Sequence, residues 1–241
     1  MSGDGSIRLA VVTGGHAYDV VNFHKLFRAL GDLDVYIQHM DDFASTSEEG
    51  RDAYDVVVFY IMLMDGPKDE GLPWYCGKPR TALEHLGATE QGILVLHHAI
   101  LAYPQCGVWN DIVGINGRKF SFHIGQSIHV DVANTGHPIT KDLQGWDMGD
   151  EIYTMNDASP ASGSEILLSV NHPKSMKHIA WTRQHGKSRV FNFQSGHDNT
   201  TWVDANFRQV LSRGIAWCAG PRRGRPRGPG RLPPGLSSRG A

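Results

Sequence analysis

Cysteine is scarce in this sequence: three among 241 residues, Cys76, Cys106 and Cys218, far apart and with no Cys-x-x-Cys pair. That excludes a disulfide framework and a cysteine zinc centre, and it points to a reducing compartment. Long apolar runs are missing too. The longest, Val56 to Met64, has nine residues, against the roughly 20 that a bilayer crossing needs, so no membrane partner is expected. The opening Met1-Ser2-Gly3-Asp4-Gly5 has neither a basic nor an apolar region. No secretory leader is expected, and the protein reads as cytoplasmic. Gly-x-Ser-x-Gly does not occur, which leaves serine-hydrolase chemistry without support. Gly-x-Gly-x-x-Gly fails as well, because His16 and Asp19 stand where glycines are needed after Gly14; an acidic helix start also repels phosphate, so no nucleotide cofactor is expected.

Charge is small overall, at −2, but unevenly spread. The stretch from Pro221 to the end holds six arginines and no acid, so the rest carries 17 basic against 25 acidic side chains, or −8. An acidic body argues against a nucleic-acid partner. The tail, rich in proline, glycine and arginine with little to bury, is expected to be disordered. There are no repeats and no internal linker, so a single domain is expected over residues 1–220, with the tail over 221–241.

What is present is an alternation of buried strands and helices. Arg8 to Thr13 is a β-branched run closed by Gly14-Gly15. Val20, Phe23, Phe27 and Leu30 follow at helical spacing, with Asp19 placed to cap them and Gly31 to stop them. Strands are expected at 33–37, 55–62 and 92–96, and a helix from Pro79 to Leu86. Continuous apolar strands between helices imply an α/β fold: a mostly parallel sheet with helices on both faces. The second half alternates instead, at 127–132, 165–170, 178–183 and 189–193, with a hairpin loop at 184–188, so antiparallel strands are expected to flank the parallel ones. A final helix runs from about Asp204 to Cys218, with an apolar stripe from Phe207 to Cys218.

In a parallel sheet the strand C-termini share one edge, so residues just after them converge. Three strands end in histidine: Gly14-Gly15-His16, Leu96-His97-His98 and Ser195-Gly196-His197. Neutral imidazoles beside a carboxylate form a nest for zinc or another borderline divalent ion. We therefore take His16, His97 and His197 as candidate metal ligands, with Asp19, Asp150, Glu151 or Asp198 as the carboxylate. Which of His97 and His98 faces the pocket stays open. In Asp150-Glu151-Ile152-Tyr153, burial of Ile152 would put Glu151 and Tyr153 together on the other strand face. His98, Glu151 and Tyr153 are the candidate catalytic groups. Trp181 and Arg183 share a strand face, an aromatic beside a guanidinium that suits a sugar or carboxylate, although cation–π packing would serve equally. With Asp19, His123 and His137 they complete the candidate substrate-binding set. Cys106 has no strand leading into it and is not read as a nucleophile.

Taken in order, these pieces resemble the ThuA-like, or trehalose-utilisation, family. The matching stretches are Val11-Val12-Thr13-Gly14-Gly15-His16, Leu96-His97-His98-Ala99, Phe120-x-x-His123, His137-Pro138-Ile139-Thr140, Asp150-Glu151-x-Tyr153, Ala180-Trp181-Thr182-Arg183, Gly186-Lys187-x-Arg189-Val190-Phe191 and Gly196-His197. They span about residues 7 to 219. The resemblance implies a branch of the class I glutamine amidotransferase-like superfamily with a flavodoxin-like sheet. There a cysteine sits at the sharp turn after a central strand, and a later strand brings a His-x-Glu pair. Here His97 fills the turn, with Ala99 as the small residue behind it, and His197 matches the later histidine, but Asn199 stands where the glutamate would be. An imidazole cannot form the thioester of glutamine hydrolysis, so amidotransferase activity is expected to be absent.

The resemblance implies an enzyme of carbohydrate metabolism: metal-assisted isomerisation, elimination or hydrolysis of a disaccharide or keto-sugar derivative. Two alternatives stay open. One is a non-catalytic sugar-binding or regulatory module that kept the pocket, and the other is metal-independent acid–base chemistry by Glu151 and His197. The partners expected are a small sugar and a second copy of the chain.

Overall fold

The computed structural model describes residues 6–221. The expected disordered tail, Pro221 apart, therefore lies outside the described residues. Within them the order is β1 (Ile7–Gly14), α1 (Val20–Arg28), β2 (Leu33–His39), α2 (Met40–Ser45), α3 (Glu48–Asp52), β3 (Val56–Ile61), α4 (Pro79–Glu84), β4 (Gly92–Leu96) and α5 (Gly107–Val113). Then come β5 (Ser121–Val132), β6 (Trp146–Thr154), β7 (Glu165–Val170), β8 (His178–His185), β9 (Ser188–Phe193), α6 (Asn199–Trp202) and α7 (Ala205–Ala219).

The strands form one sheet in the order β2-β1-β3-β4-β9-β8-β7-β5-β6. The first five run parallel, through the pairs β2–β1, β1–β3, β3–β4 and β4–β9. The remaining pairings are antiparallel. This is the expected α/β architecture, with the antiparallel strands confined to the second half of the chain.

Why these residues make these elements is plain in the middle of the sheet. Every residue of β3 and β4 is buried, because helices cover both faces. On one face α1 contributes Phe23, Leu26 and Phe27, and α7 contributes Phe207, Val210, Leu211 and Ile215. On the other, α2, α4 and α5 contribute Phe43, Leu83, Trp109 and Ile112. Each such side chain removed from water stabilises the fold by roughly 1.5–3 kcal/mol. Helix α1 starts where Asp19 accepts from Asn22 N at 3.0 Å. Helix α7 lies so close to β9 that a Cβ on Gly214 would sit 2.4 Å from the Phe191 ring.

Helices α2, α3, α5 and α6 have no counterpart in the expected elements; each is under two turns long. The hairpin between β8 and β9 is tighter than expected, since His185 pairs with Ser188 and leaves two residues in the turn. No helix among the described residues is long and apolar enough to cross a membrane.

The sheet's outermost strand does the most for the site. The second half of β6 lies across the C-terminal ends of the parallel strands. Gln194 Nε2 donates to the Glu151 carbonyl at 2.8 Å, and the backbone N–H groups of Gly196 and His197 both donate to the Asp150 carboxylate at 3.1 Å. A segment more than forty residues away in sequence thus closes over the edge where the strand-end histidines emerge.

Candidate active site

The chain turns sharply after β4. His97 takes φ 53, a left-handed conformation rare for a side chain with a Cβ. Such strain costs of order 1–3 kcal/mol and persists where surrounding structure imposes it. Here the imposing bond is visible: His97 Nδ1 donates to the Gln194 carbonyl at 2.7 Å, tying the end of β4 to the end of β9. The next residue does the same on the other side, as His98 Nδ1 donates to the Ile61 carbonyl at the end of β3 at 3.0 Å.

These carbonyls accept only, so each fixes the tautomer that carries its proton on Nδ1 and leaves Nε2 a lone-pair acceptor. His97 Nε2 receives the Tyr153 hydroxyl at 2.8 Å. His98 Nε2 is buried with no hydrogen-bond partner among the described residues. His197 has Nδ1 3.4 Å from Asp198 Oδ2 and Nε2 3.4 Å from Glu151 Oε2, while Glu151 Oε1 lies 3.7 Å from His97 Nε2. His16 Nδ1 donates to its own neighbour's carbonyl, Ala17, at 2.7 Å.

The rings of His97 and His197 lie 5.4 Å apart, those of His97 and His98 5.2 Å, and His16 stands 4.6 Å from His98 and 6.1 Å from His197. Residues 16, 97 and 197 therefore share one neighbourhood. Glycine at position 15 permits this: with φ 75, its backbone passes so close to β3 that a Cβ would sit 2.5 Å from the Met62 carbonyl oxygen. Beneath the cluster, the Tyr60 ring rests 4.2 Å from His98 and its hydroxyl donates to the His197 carbonyl at 3.0 Å.

Electrostatics follow from burial. The pKa of His98, 1% exposed, is driven down to about 3 by the loss of solvent, so the ring is neutral at physiological pH. His97 is pushed well down by burial first and by His98 second. Burial also pushes the Asp150 carboxyl up to about 6, against the pull of its four donors, and raises the Tyr153 phenol, which therefore keeps its proton.

His97, Glu151 and His197 each offer a ligand atom, all within 4.8 Å of one another. Ligand atoms on a tetrahedral zinc are about 3.3 Å apart, from Zn–N and Zn–O lengths of about 2.0–2.1 Å, which the 3.4 and 3.7 Å separations approach. The outer nitrogens are held by a carbonyl and a carboxylate, the orienting partners that metal-bound histidines use. The donor set fits a borderline divalent ion. Of the residues expected to form the nest, His97, His197 and, among the four candidate carboxylates, Glu151 fall in this group, while His16 packs against His98 outside it.

Other expected site residues lie elsewhere. Trp181 is fully buried, its indole donating to the Val113 carbonyl at 2.8 Å, and Arg183 Nη1 donates to Ser164 at 3.2 Å. Both face the end of α5, away from the histidines. His137 rests on Trp217, which lies under Arg189 at the start of β9, the opposite edge of the sheet. His123 pairs with Ile152 and so faces away from Glu151 and Tyr153, its Nε2 3.1 Å from Thr154. Asp19 sits at the rim, its oxygens taken by Asn22 and Asn199. Cys106 precedes α5 as its N-cap, without a side-chain bond there. Gln194 belongs to the strand-end stretch Gln194-Ser195-Gly196-His197, but the sequence alone assigns it no role; its backbone carbonyl orients His97.

Five parallel strands in the order β2-β1-β3-β4-β9, with helices on both faces and β4 ending in a strained turn residue that faces the histidine after β9, define an α/β protein with a flavodoxin-like sheet order. The chain belongs to the trehalose-utilisation (ThuA) family, whose model matches residues 8–218. Among solved structures it is similar to a ThuA-like protein from Parabacteroides merdae, with TM-score 0.69, 18% identity, and 90% of this chain and 91% of that one covered. A ThuA-like protein from Bacteroides uniformis gives TM-score 0.67, 20% identity, and 90% and 93% coverage. A GMP synthase subunit from Thermoplasma acidophilum gives 0.54, 13%, 90% and 96%. At these identities the likeness concerns the fold. No curated protein matches the chain.

Proposed function

We propose that the protein is an enzyme of carbohydrate metabolism that performs metal-assisted chemistry on a disaccharide or keto-sugar derivative at the His97 turn. The observation that carries the metal is the convergence of acceptors. Two imidazole nitrogens and a carboxylate approach one another, and the one donor aimed at the His97 nitrogen is the Tyr153 hydroxyl. A cation among them would satisfy all three atoms at once. Family membership supports the sugar.

In this reading His97, Glu151 and His197 hold the ion. When bound, a divalent ion polarises a carbonyl or hydroxyl oxygen. His98, neutral and with a free Nε2, accepts a hydrogen bond from a sugar hydroxyl; with its pKa driven down to about 3, it is a poor proton carrier, and its role shifts from base to binding group. Tyr153, its phenol pKa raised well above the ordinary value by burial, keeps its proton and serves as a hydrogen-bond donor to the site. Amidotransferase chemistry has no nucleophile at the turn, since an imidazole replaces the thiol there.

A second reading, metal-free acid–base chemistry, is favoured by the 2.8 Å bond between Tyr153 and His97, a proton donor already seated on a base. One experiment separates the two. Purified protein is assayed for metal by plasma mass spectrometry, then incubated with trehalose and an oxidised keto derivative of it, with and without chelator, and followed by NMR. Stoichiometric metal and chelator-sensitive turnover support the metal reading. Full turnover by metal-free protein selects the second.

A further inference from the structure

We propose that Tyr153 sets how readily the His97–Glu151–His197 group takes a divalent cation, by lending its single hydroxyl proton to the nitrogen the cation needs. The inference rests on the metal reading above and adds a control on that same site.

Protons and lone pairs can be counted here. His97 Nδ1 is committed to the Gln194 carbonyl, so Nε2 is the ring's one free lone pair. That lone pair receives the Tyr153 hydroxyl at 2.8 Å. A cation bound to the same nitrogen and a hydrogen bond to it exclude each other. The phenol has only one proton to place, and it cannot swing away, because its residue is 1% exposed, its carbonyl accepts from Met176 N at 2.6 Å and its ring packs edge-on against Phe120. When the cation enters, the hydroxyl must turn toward Glu151, the other acceptor within its reach. Glu151 is itself a ligand then, with its charge drawn off by the ion, and is a weaker acceptor. Tyr153 therefore stabilises the cation-free state more than the bound one.

The sign is unusual for a residue in direct contact with a ligand: removing its hydroxyl should tighten binding. In Tyr153→Phe the cation-free protein is left with a buried, unpaired Nε2, and an unsatisfied buried acceptor raises the free energy of that state. Zinc then binds about tenfold tighter. Magnesium, which keeps its waters and favours oxygen ligands, should gain little.

The test is zinc titration of metal-stripped wild type, Tyr153→Phe and Glu151→Gln against a chromophoric chelator, with the cobalt visible spectrum as a report on nitrogen ligation. Tyr153→Phe is expected to bind zinc about tenfold tighter than wild type, and Glu151→Gln to bind it more weakly. Should Tyr153→Phe fail to fold, 3-fluorotyrosine at position 153 replaces it. That ring is a stronger hydrogen-bond donor, and zinc binding should weaken several-fold. Equal or weaker zinc binding in the Phe variant, or unchanged binding in the fluorinated protein, overturns the proposal and leaves the metal reading standing. Failure of wild type to bind zinc or cobalt at one equivalent overturns both.

Discussion

Asp150 holds the turn that delivers His197. Its Oδ1 accepts from His197 N at 3.1 Å, from Glu151 N at 2.9 Å and from the Thr201 hydroxyl at 2.9 Å, while Oδ2 accepts from Gly196 N at 3.1 Å. One buried carboxylate thus joins β6 to the end of β9 and to α6. Asp150→Ala should destabilise the protein by about 2–4 kcal/mol, because buried N–H groups lose their acceptor at once. Zinc affinity should fall with it, since His197 and Glu151 flank this joint. Urea unfolding and zinc titration check the two effects; a variant as stable as wild type would show that the joint is made by other groups.

Arg118 does for the His97 turn what Asp150 does for His197. It is buried without a carboxylate partner among the described residues, and its guanidinium donates to the carbonyls of Ile100 at 2.6 Å, Ala102 at 2.7 Å and Tyr103 at 2.9 Å, and to Asn110 Oδ1. Burial brings its pKa down to about 10, so it stays charged at neutral pH. Arg118→Met should cost about 3 kcal/mol or more by orphaning several carbonyls. Arg118→Lys should recover only part, since a point charge cannot span the fork. Equal thermal midpoints for the two variants would contradict this.

Asp69 predicts a pH dependence. It accepts from Arg80 N at 2.8 Å and from the Thr81 hydroxyl at 2.6 Å, capping α4 from the loop after β3. Burial works to raise its carboxyl, but the Thr81 and Arg80 donors outweigh it and hold the group below the usual carboxylate range. A depressed acid stabilises the fold above its unfolded value near 4 and loses that contribution as pH falls through the folded value. Asp69→Ala should therefore cost about 1 kcal/mol at pH 7, and the gap to wild type should start to narrow near pH 4 and close only as pH falls below the folded value. A gap of constant size across that range would count against the bond.

Much of the fold was legible because β1, β3 and β4 are buried on both faces and read as unbroken apolar runs. The same physics exposed the strand-end histidines, since parallel strands must finish at one edge. The short helices α2, α3, α5 and α6 escaped because fewer than two turns give no periodicity to read. Trp181 and Arg183 illustrate a different limit: alternation told that they share a face, and only the packing of α5 decides which face that is. Glu151 and Tyr153 were found by their proximity in sequence, yet their joint burial depends on β6 crossing the sheet edge. No local pattern encodes that crossing.

The most direct test of the metal centre is a crystal structure of the protein grown with zinc, phased or mapped by anomalous scattering at the zinc edge. One strong peak is expected about 2 Å from His97 Nε2, from a Glu151 oxygen and from His197 Nε2. No peak there, or a peak only at the surface group Glu48, Asp52 and His85, whose ligand atoms also lie within 4.8 Å of one another, would contradict it.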